Sequence, residues 1–189
     1  EGKIDFFAHM KEIRSIIGPD RPLHIQVTAL DTEGMLRDAD TLLSKVDPEV
    51  YVKVPVTMEG IKAIKQMKAR GIHVTGTAIY GKQQGFLAME AGADYIAPYF
   101  NRMENMGLDS DDVIASLADM IDLYHYDTQI LAASFKNAGQ IDRAFLAGAH
   151  TATMDPSILK DVLTQPYITN AVDTFDSDWK TIFGEQTIS

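Results

Sequence analysis

Short β-branched stretches alternate with longer stretches of helically spaced apolar residues along this sequence of 189 residues. The alternation predicts strands at residues 23–28, 51–57, 72–79, 95–99, 128–133 and 151–154. It predicts helices at residues 1–17, 31–46, 82–90, 110–124 and 138–147, a helix between its cap Thr57 and Gly71, a loop at residues 101–108, and a closing helix at about residues 169–183. Every predicted strand is therefore followed by a helix.

Six strand-then-helix units behind a first helix predict a parallel sheet, because such alternation connects each strand to the next by a helical crossover. An open doubly wound sheet and a closed (β/α)8 barrel both have this pattern. A barrel typically takes about 250 residues, or roughly 31 per unit, so this chain holds about six units. Either the sheet is open, or the chain is a barrel without its beginning. A hydrophobic content of 46% suffices for one core, and we expect one domain over residues 1–189.

A single lysine, Lys53, interrupts the apolar run at residues 51–57. Because a strand alternates its side chains between two faces, Lys53 points away from the face that carries Val52 and Val54. Burial lowers the pKa of an amine, and a neutral lysine can attack a carbonyl to form a Schiff base. Reaching neutral pH from about 10.4 costs about 4 kcal/mol, which only a closed, mostly apolar site supplies. At a sheet edge the same lysine would simply hold its ammonium in water.

Polar side chains stand at the carboxyl ends of five predicted strands, where parallel α/β folds carry their chemistry. They are Gln26, Lys53, Thr77, Tyr99 and Ser134. Together they predict a pocket that handles a carbonyl, with Lys53 as nucleophile and Tyr99 moving protons directly or through a water. Gln26 and Thr77 could hold that water. Taken singly, Tyr99 could serve packing alone and Thr77 a turn alone.

A phosphate site is also predicted at this rim. Ser134, just past the penultimate strand, can offer its hydroxyl and backbone N–H, and Arg102, just past Tyr99, can offer a bidentate guanidinium. The sequence contains no G-x-G-x-x-G or Walker motif, so a nucleotide is not favoured.

The net charge of −10 argues against a nucleic-acid partner but allows a small anionic substrate in a local basic pocket. The absence of cysteine excludes disulfides and thiolate chemistry and fits a cytoplasmic location. No run approaches about 18 apolar residues, and the first residues lack the pattern of a signal peptide, so we expect no membrane partner. The five histidines have no metal-ligand spacing, so we expect neither a metal nor a cofactor.

Four segments, VKVPVT (52–57), GTAIYG (76–81), APYFNR (97–102) and LAASFK (131–136), resemble the small bacterial transaldolase family in order and spacing, and most closely its fructose-6-phosphate aldolase branch. The resemblance implies a class I aldolase on a (β/α)8 TIM barrel, with about six of the eight units in this chain. The family roles it implies are Schiff-base lysine for Lys53, proton carrier for Tyr99, water ligands for Gln26 and Thr77, and phosphate ligands for Arg102 and Ser134.

Transaldolases proper tend to carry glutamate and phenylalanine where this chain has Gln26 and Tyr99. The resemblance therefore favours an aldolase that reversibly cleaves fructose 6-phosphate into dihydroxyacetone and glyceraldehyde 3-phosphate. The alternative is a transaldolase that passes a dihydroxyacetone unit between two sugar phosphates. In either case the expected partner is a small sugar phosphate.

The strand, helix and strand with which the family begins have no counterpart here. They carry an aspartate of the water-binding set and an asparagine that contacts substrate. A further alternative is therefore a non-catalytic sugar-phosphate-binding or assembly module. The family forms pentamers paired into decamers, so we expect a homo-oligomer in which the closing helix, which carries Trp179, packs on a neighbouring subunit.

Overall fold

The computed structural model describes residues 4–188 as a six-stranded parallel sheet with helices between its strands. The strands are β1 (His24–Gln26), β2 (Tyr51–Pro55), β3 (Val74–Ile79), β4 (Tyr95–Pro98), β5 (Gln129–Ala132) and β6 (Thr151–Ala152). The helices are α1 (Phe6–Ile17), α2 (Thr32–Lys45), α3 (Met58–Ala69), α4 (Lys82–Glu90), α5 (Phe100–Asn105), α6 (Ser110–Tyr124), α7 (Ala138–Leu146), α8 (Pro156–Leu163) and α9 (Pro166–Phe183).

The strands lie side by side in the order in which the chain visits them, and every neighbouring pair is parallel. A doubly wound sheet would reverse this order at a switch point. The sequential order therefore decides between the two predicted architectures, and the chain forms an incomplete (β/α)8 barrel of six strands. Within residues 4–188, β1 and β6 are the two edges of the sheet and do not pair with each other.

Most predicted elements are confirmed, with small differences at their ends. The first helix begins at Phe6, with Asp5 as its N-cap accepting from the Ala8 N–H at 3.1 Å. Residues 1–3 of the predicted helix lie outside the described residues. All six strands are shorter than predicted, and the edge strands β1 and β6, each with a partner on one side only, have half the predicted length.

The prediction of a loop at residues 101–108 was wrong, because α5 occupies Phe100–Asn105. No side chain caps the start of this helix. Its first N–H groups, of Phe100 and Asn101, donate instead to the carbonyls of Ala133 and Ser134, at 2.9 and 3.0 Å. These partners are distant in sequence, so no local pattern predicted the helix.

The helix-facing side of β2 anchors it in the core. Val52 and Val54 are fully buried, and burial of such a side chain contributes about 1.5–3 kcal/mol. Helix α3 approaches the end of β2 so closely that a Cβ on Gly60 would lie 1.8 Å from the Pro55 carbonyl oxygen. Only glycine permits this contact, which holds the strand of Lys53 firmly against its helix.

Within the described residues, no helix has both the length and the apolar character needed to cross a membrane.

Candidate active site

Lys53 lies on the face of β2 opposite Val52 and Val54, as the alternation predicted. Burial lowers the pKa of its amine below the usual 10.5, because desolvation disfavours the ammonium. Among residues 4–188 its Nζ has no hydrogen-bond or ion-pair partner that would restore the charge. A half-buried amine in this setting has an increased neutral fraction, which is the form that attacks carbonyls.

A cavity of about 440 Å³ on one side of Lys53 occupies the inside of the half-barrel. His24 borders this cavity and shares a hydrogen bond of 2.8 Å between its Nδ1 and the Oγ1 of Thr75, which is fully buried. Burial, together with the charge of Lys53, lowers the pKa of His24 to about 4. His24 is therefore neutral near pH 7 and adds no positive charge beside the lysine.

A second cavity, of about 300 Å³, brings four of the six predicted site residues together at the carboxyl-end rim. Lys53, Tyr99, Arg102 and Ser134 all line it. These residues come from β2, from the junction of β4 and α5, and from the turn after β5. Lys53 borders both cavities, so it is shared by the interior of the half-barrel and the rim.

Thr77 joins this group through Tyr99. Its Oγ1 lies 3.0 Å from the Tyr99 hydroxyl oxygen, and its side chain is almost fully buried, with 1% exposed. Ala78, the next residue, has φ +57°, a left-handed conformation that is strained for a residue with a Cβ. The strain coincides with a shift of the β3–β4 register between Gly76 and Ile79, beside the hydroxyl pair.

Arg102 holds its guanidinium at the rim by two aromatic contacts. Its Nη1 donates to the Tyr80 hydroxyl at 3.2 Å, and its Cζ lies 4.8 Å from the centre of the Tyr99 ring. Among residues 4–188 no carboxylate pairs with it, although the chain has 27 acidic residues against 17 lysines and arginines. An exposed arginine without a carboxylate is available to an anionic ligand.

Ser134 lines the rim cavity together with Arg102, and its φ is +66°. The left-handed conformation is costly for serine, and such strain concentrates at ligand sites. Asp155 also borders the cavity, but its carboxylate accepts from the Ser157 N–H at 2.8 Å as the N-cap of α8. Hydrogen bonds from the Ser157 side chain and from its N–H lower the pKa of Asp155, so the carboxylate stays charged near pH 7.

Gln26 lies apart from the other predicted residues. It is paired in register with Lys53 on the neighbouring strand, yet its side chain is exposed and borders a groove of about 180 Å³ with Phe6, Phe7 and Thr28. Its backbone is therefore beside Lys53, while its side chain borders this groove and neither of the two cavities that Lys53 lines.

The sequence analysis missed Tyr80, which contacts Arg102, and two glutamines, Gln84 and Gln140, which brace the turns of the rim. The glutamines carried a usable signal, since each is the third residue of the helix that follows its strand. No group of three or more His, Asp or Glu side chains suited to a metal ion is found in the described part of the chain.

Comparison with known proteins agrees with the family resemblance of the four sequence segments. Residues 6–187 match the family described as "Transaldolase/Fructose-6-phosphate aldolase". A "Probable fructose-6-phosphate aldolase" of Streptococcus pneumoniae (strain ATCC 700669 / Spain 23F-1) is 46% identical over 188 residues, which are 100% of this chain and 85% of the relative. A "Probable transaldolase" of Chelativorans sp. (strain BNC1) is 37% identical over 169 residues, which are 89% of this chain and 76% of the relative.

Proposed function

Because the chain belongs to the transaldolase/fructose-6-phosphate aldolase family, whose enzymes are of the class I aldolase type, we propose that it reversibly cleaves fructose 6-phosphate into dihydroxyacetone and glyceraldehyde 3-phosphate. The observation that carries the proposal is the unpaired amine of Lys53, with its lowered pKa, in one cavity with Tyr99, Arg102 and Ser134.

The reaction begins at the carbonyl of the sugar. The Lys53 nitrogen attacks C2, a C–N bond forms, and the carbonyl oxygen leaves as water, which yields a protonated Schiff base. The C3–C4 bond then breaks as the C4 hydroxyl gives up its proton, and the electron pair of that bond passes into the iminium to form an enamine. Glyceraldehyde 3-phosphate departs, the enamine takes a proton at C3, and water releases dihydroxyacetone from the lysine.

Tyr99 is suited to the two proton transfers. Its hydroxyl is held by Thr77 and lines the same cavity as the amine. A group hydrogen-bonded on one side and open on the other can take the C4 proton and return it, directly or through a water. Gln26, paired with Lys53 in register, completes the proposed set of water ligands.

Arg102 and Ser134 are the proposed ligands of the substrate phosphate. The guanidinium offers charge-assisted hydrogen bonds, and the serine offers its hydroxyl. Lys136, exposed and two residues beyond Ser134, adds positive charge to the same turn. This cluster of positive charge is local, in a chain whose net charge is −10.

The direct test is reduction of the imine. The protein is incubated with dihydroxyacetone and borohydride, and its mass is measured before peptide mapping. We expect one covalent adduct on Lys53 and none in a Lys53→Met variant. Sugar-phosphate binding with no reducible adduct would instead favour the non-catalytic alternative and overturn the proposal.

The transaldolase alternative draws on the relative from Chelativorans. The products formed from fructose 6-phosphate alone distinguish a transaldolase from an aldolase. An aldolase releases free dihydroxyacetone without an acceptor, whereas a transaldolase requires a second sugar phosphate. We expect free dihydroxyacetone, because Gln26 and Tyr99 are the residues of the aldolase branch.

A further inference from the structure

Two turns at the rim share one construction. Ala78 and Ser134 are both non-glycine residues with positive φ, at +57° and +66°. Each is followed three residues later by the N-cap of a helix, of α4 and of α7 respectively, and six residues later by a glutamine. These glutamines, Gln84 and Gln140, therefore occupy the same place in their turns.

Gln84 braces the first turn. Its Oε1 accepts from the Tyr80 N–H at 3.0 Å, while its Nε2 donates to the carbonyls of Val56 and Ala78, at 3.1 and 3.2 Å. The side chain therefore ties the end of β2, the strand of Lys53, to the end of β3.

Gln140 braces the second turn in the same way but reaches a different neighbour. Its Oε1 accepts from the Lys136 N–H at 2.8 Å, within the turn that carries Ser134. Its Nε2 donates to Asn101 Oδ1 at 3.0 Å and to Glu104 Oε2 at 2.5 Å. Both acceptors belong to α5, so one buried amide, with 7% of its residue exposed, links the Ser134 turn to the helix of Arg102.

The other contacts between these two parts lie near the start of α5, where the Phe100 ring packs on the Phe135 ring with their centres 5.8 Å apart. The Phe100 and Asn101 N–H groups bond to the carbonyls of Ala133 and Ser134, which joins only the first residues of α5 to the turn. Gln140 adds the further tie to α5 at Glu104, on the C-terminal side of Arg102, and Arg143 holds the same carboxylate at 2.6 Å. Loss of the Gln140 amide would leave polar groups of both elements without partners and free the turn to relax from its left-handed conformation.

We infer that Gln140 is a positioning residue that sets the distance between Arg102 and Ser134, and with it the affinity for the phosphate end of the substrate. The inference rests on the proposed function of Arg102 and Ser134 as phosphate ligands. It predicts that substitution of Gln140 weakens recognition of the substrate phosphate and leaves Schiff-base formation at Lys53 intact.

The test compares two acceptor aldehydes, with dihydroxyacetone as donor, in the wild type and in Gln140→Met. Methionine has a similar size but neither a strong acceptor nor a donor. We expect KM for glyceraldehyde 3-phosphate to rise about tenfold, the effect of one or two lost hydrogen bonds, with kcat nearly unchanged. For unphosphorylated glyceraldehyde we expect kcat/KM to stay within about twofold, a difference that loss of one hydrogen bond would exceed.

Two further variants sharpen the test. Gln84→Met removes the matching brace beside Lys53, and we expect it to lower activity toward both aldehydes in equal proportion. The exchange Gln140→Glu with Glu104→Gln reverses donor and acceptor across the same contact, and we expect it to restore most of the lost affinity for the phosphorylated aldehyde. A residue that served only folding would not show this rescue.

The inference is overturned if Gln140→Met leaves KM for glyceraldehyde 3-phosphate unchanged, or if both aldehydes lose activity equally. Adduct formation with dihydroxyacetone, measured on the same samples, separates this outcome from failure of the proposed function. If the wild type formed no adduct, titration with inorganic phosphate would still decide. Weaker phosphate binding by Gln140→Met than by the wild type supports the inference, and equal binding overturns it.

Discussion

Lys53 and Arg102 are two cationic side chains that line one cavity, and their surroundings differ in almost every respect. Lys53 is half-buried on a strand, has no hydrogen-bond partner among the described residues, and has a pKa lowered by desolvation. Arg102 is exposed on a short helix, is held by Tyr80 and Tyr99, and has a pKa raised by the Tyr80 hydrogen bond.

The difference separates two tasks that one kind of cation could not perform together. An amine that attacks a carbonyl must lose its proton, so it belongs where water is scarce. A group that binds phosphate must keep its charge, so it belongs at the rim in contact with solvent. In this chain the wall of the half-barrel is suited to the chemistry and the rim turns are suited to recognition.

Replacing Lys53 with methionine removes the proposed nucleophile and has the largest expected effect on activity. We expect loss of all measurable cleavage of fructose 6-phosphate, because no other amine lines the rim cavity in residues 4–188. Release of glyceraldehyde 3-phosphate, followed by a coupled dehydrogenase, measures this. Lys53→Arg is the matched control that keeps the charge, and we expect it to be equally inactive. Activity in either variant would show that the nucleophile lies elsewhere.

Tyr99→Phe tests a residue that lines the cavity with Lys53 and Arg102. The Tyr99 ring lies under the Arg102 guanidinium, and its hydroxyl is hydrogen-bonded to Thr77. We expect kcat to fall about 100-fold, the scale of a lost general acid–base group, with KM nearly unchanged because the ring remains. Steady-state kinetics measure both constants. A rise in KM with unaltered kcat would assign the tyrosine to binding instead of proton transfer.

Arg102→Met tests the other cation in the comparison, which is the proposed phosphate ligand. We expect KM for glyceraldehyde 3-phosphate to rise about 10- to 100-fold, the usual range for a charge-assisted hydrogen bond. Activity toward unphosphorylated glyceraldehyde should be unchanged. Arg102→Lys keeps the charge without the planar fork, and we expect it to recover only part of the affinity. Equal losses with both aldehydes would contradict a phosphate role.

The smallest expected effect concerns stability. The folded state lowers the pKa of Lys53, so between that value and the usual 10.5 the unfolded chain binds more protons, and stability rises with pH. Lys53→Met removes a desolvated amine, and we expect a higher melting temperature than the wild type at pH 7, with the gap narrowing as pH approaches 10.5. Thermal unfolding at several pH values measures this. Arg102→Met, at an exposed site, should show no such trend.

The sequence predicted the alternation of strands and helices well, because each buried strand and each amphipathic helix carries its own local period. The barrel-type strand order could not be deduced from that period, since a doubly wound sheet has the same alternation. The rim position of Lys53, Tyr99, Arg102 and Ser134 followed from the rule that strand ends converge. Helix α5 was missed because its first hydrogen bonds go to Ala133 and Ser134, about thirty residues away.

The left-handed residues were also beyond prediction. Ala78 and Ser134 are not residue types that favour positive φ, so only the surrounding hydrogen bonds make their conformations tolerable. The groove that Gln26 borders was likewise not predicted, because most of its lining comes from residues distant in sequence, on α1 and α2.

The hydroxyl groups of Thr77 and Tyr99 have one further consequence. Either oxygen can be the donor in their 3.0 Å hydrogen bond, so the pair has two polarities that differ only in the placement of hydrogens. In one, the tyrosine points a proton at the cavity, and in the other it presents a lone pair. A reversible reaction needs an acid in one direction and a base in the other. Two adjacent hydroxyls can exchange these roles without movement of any heavy atom.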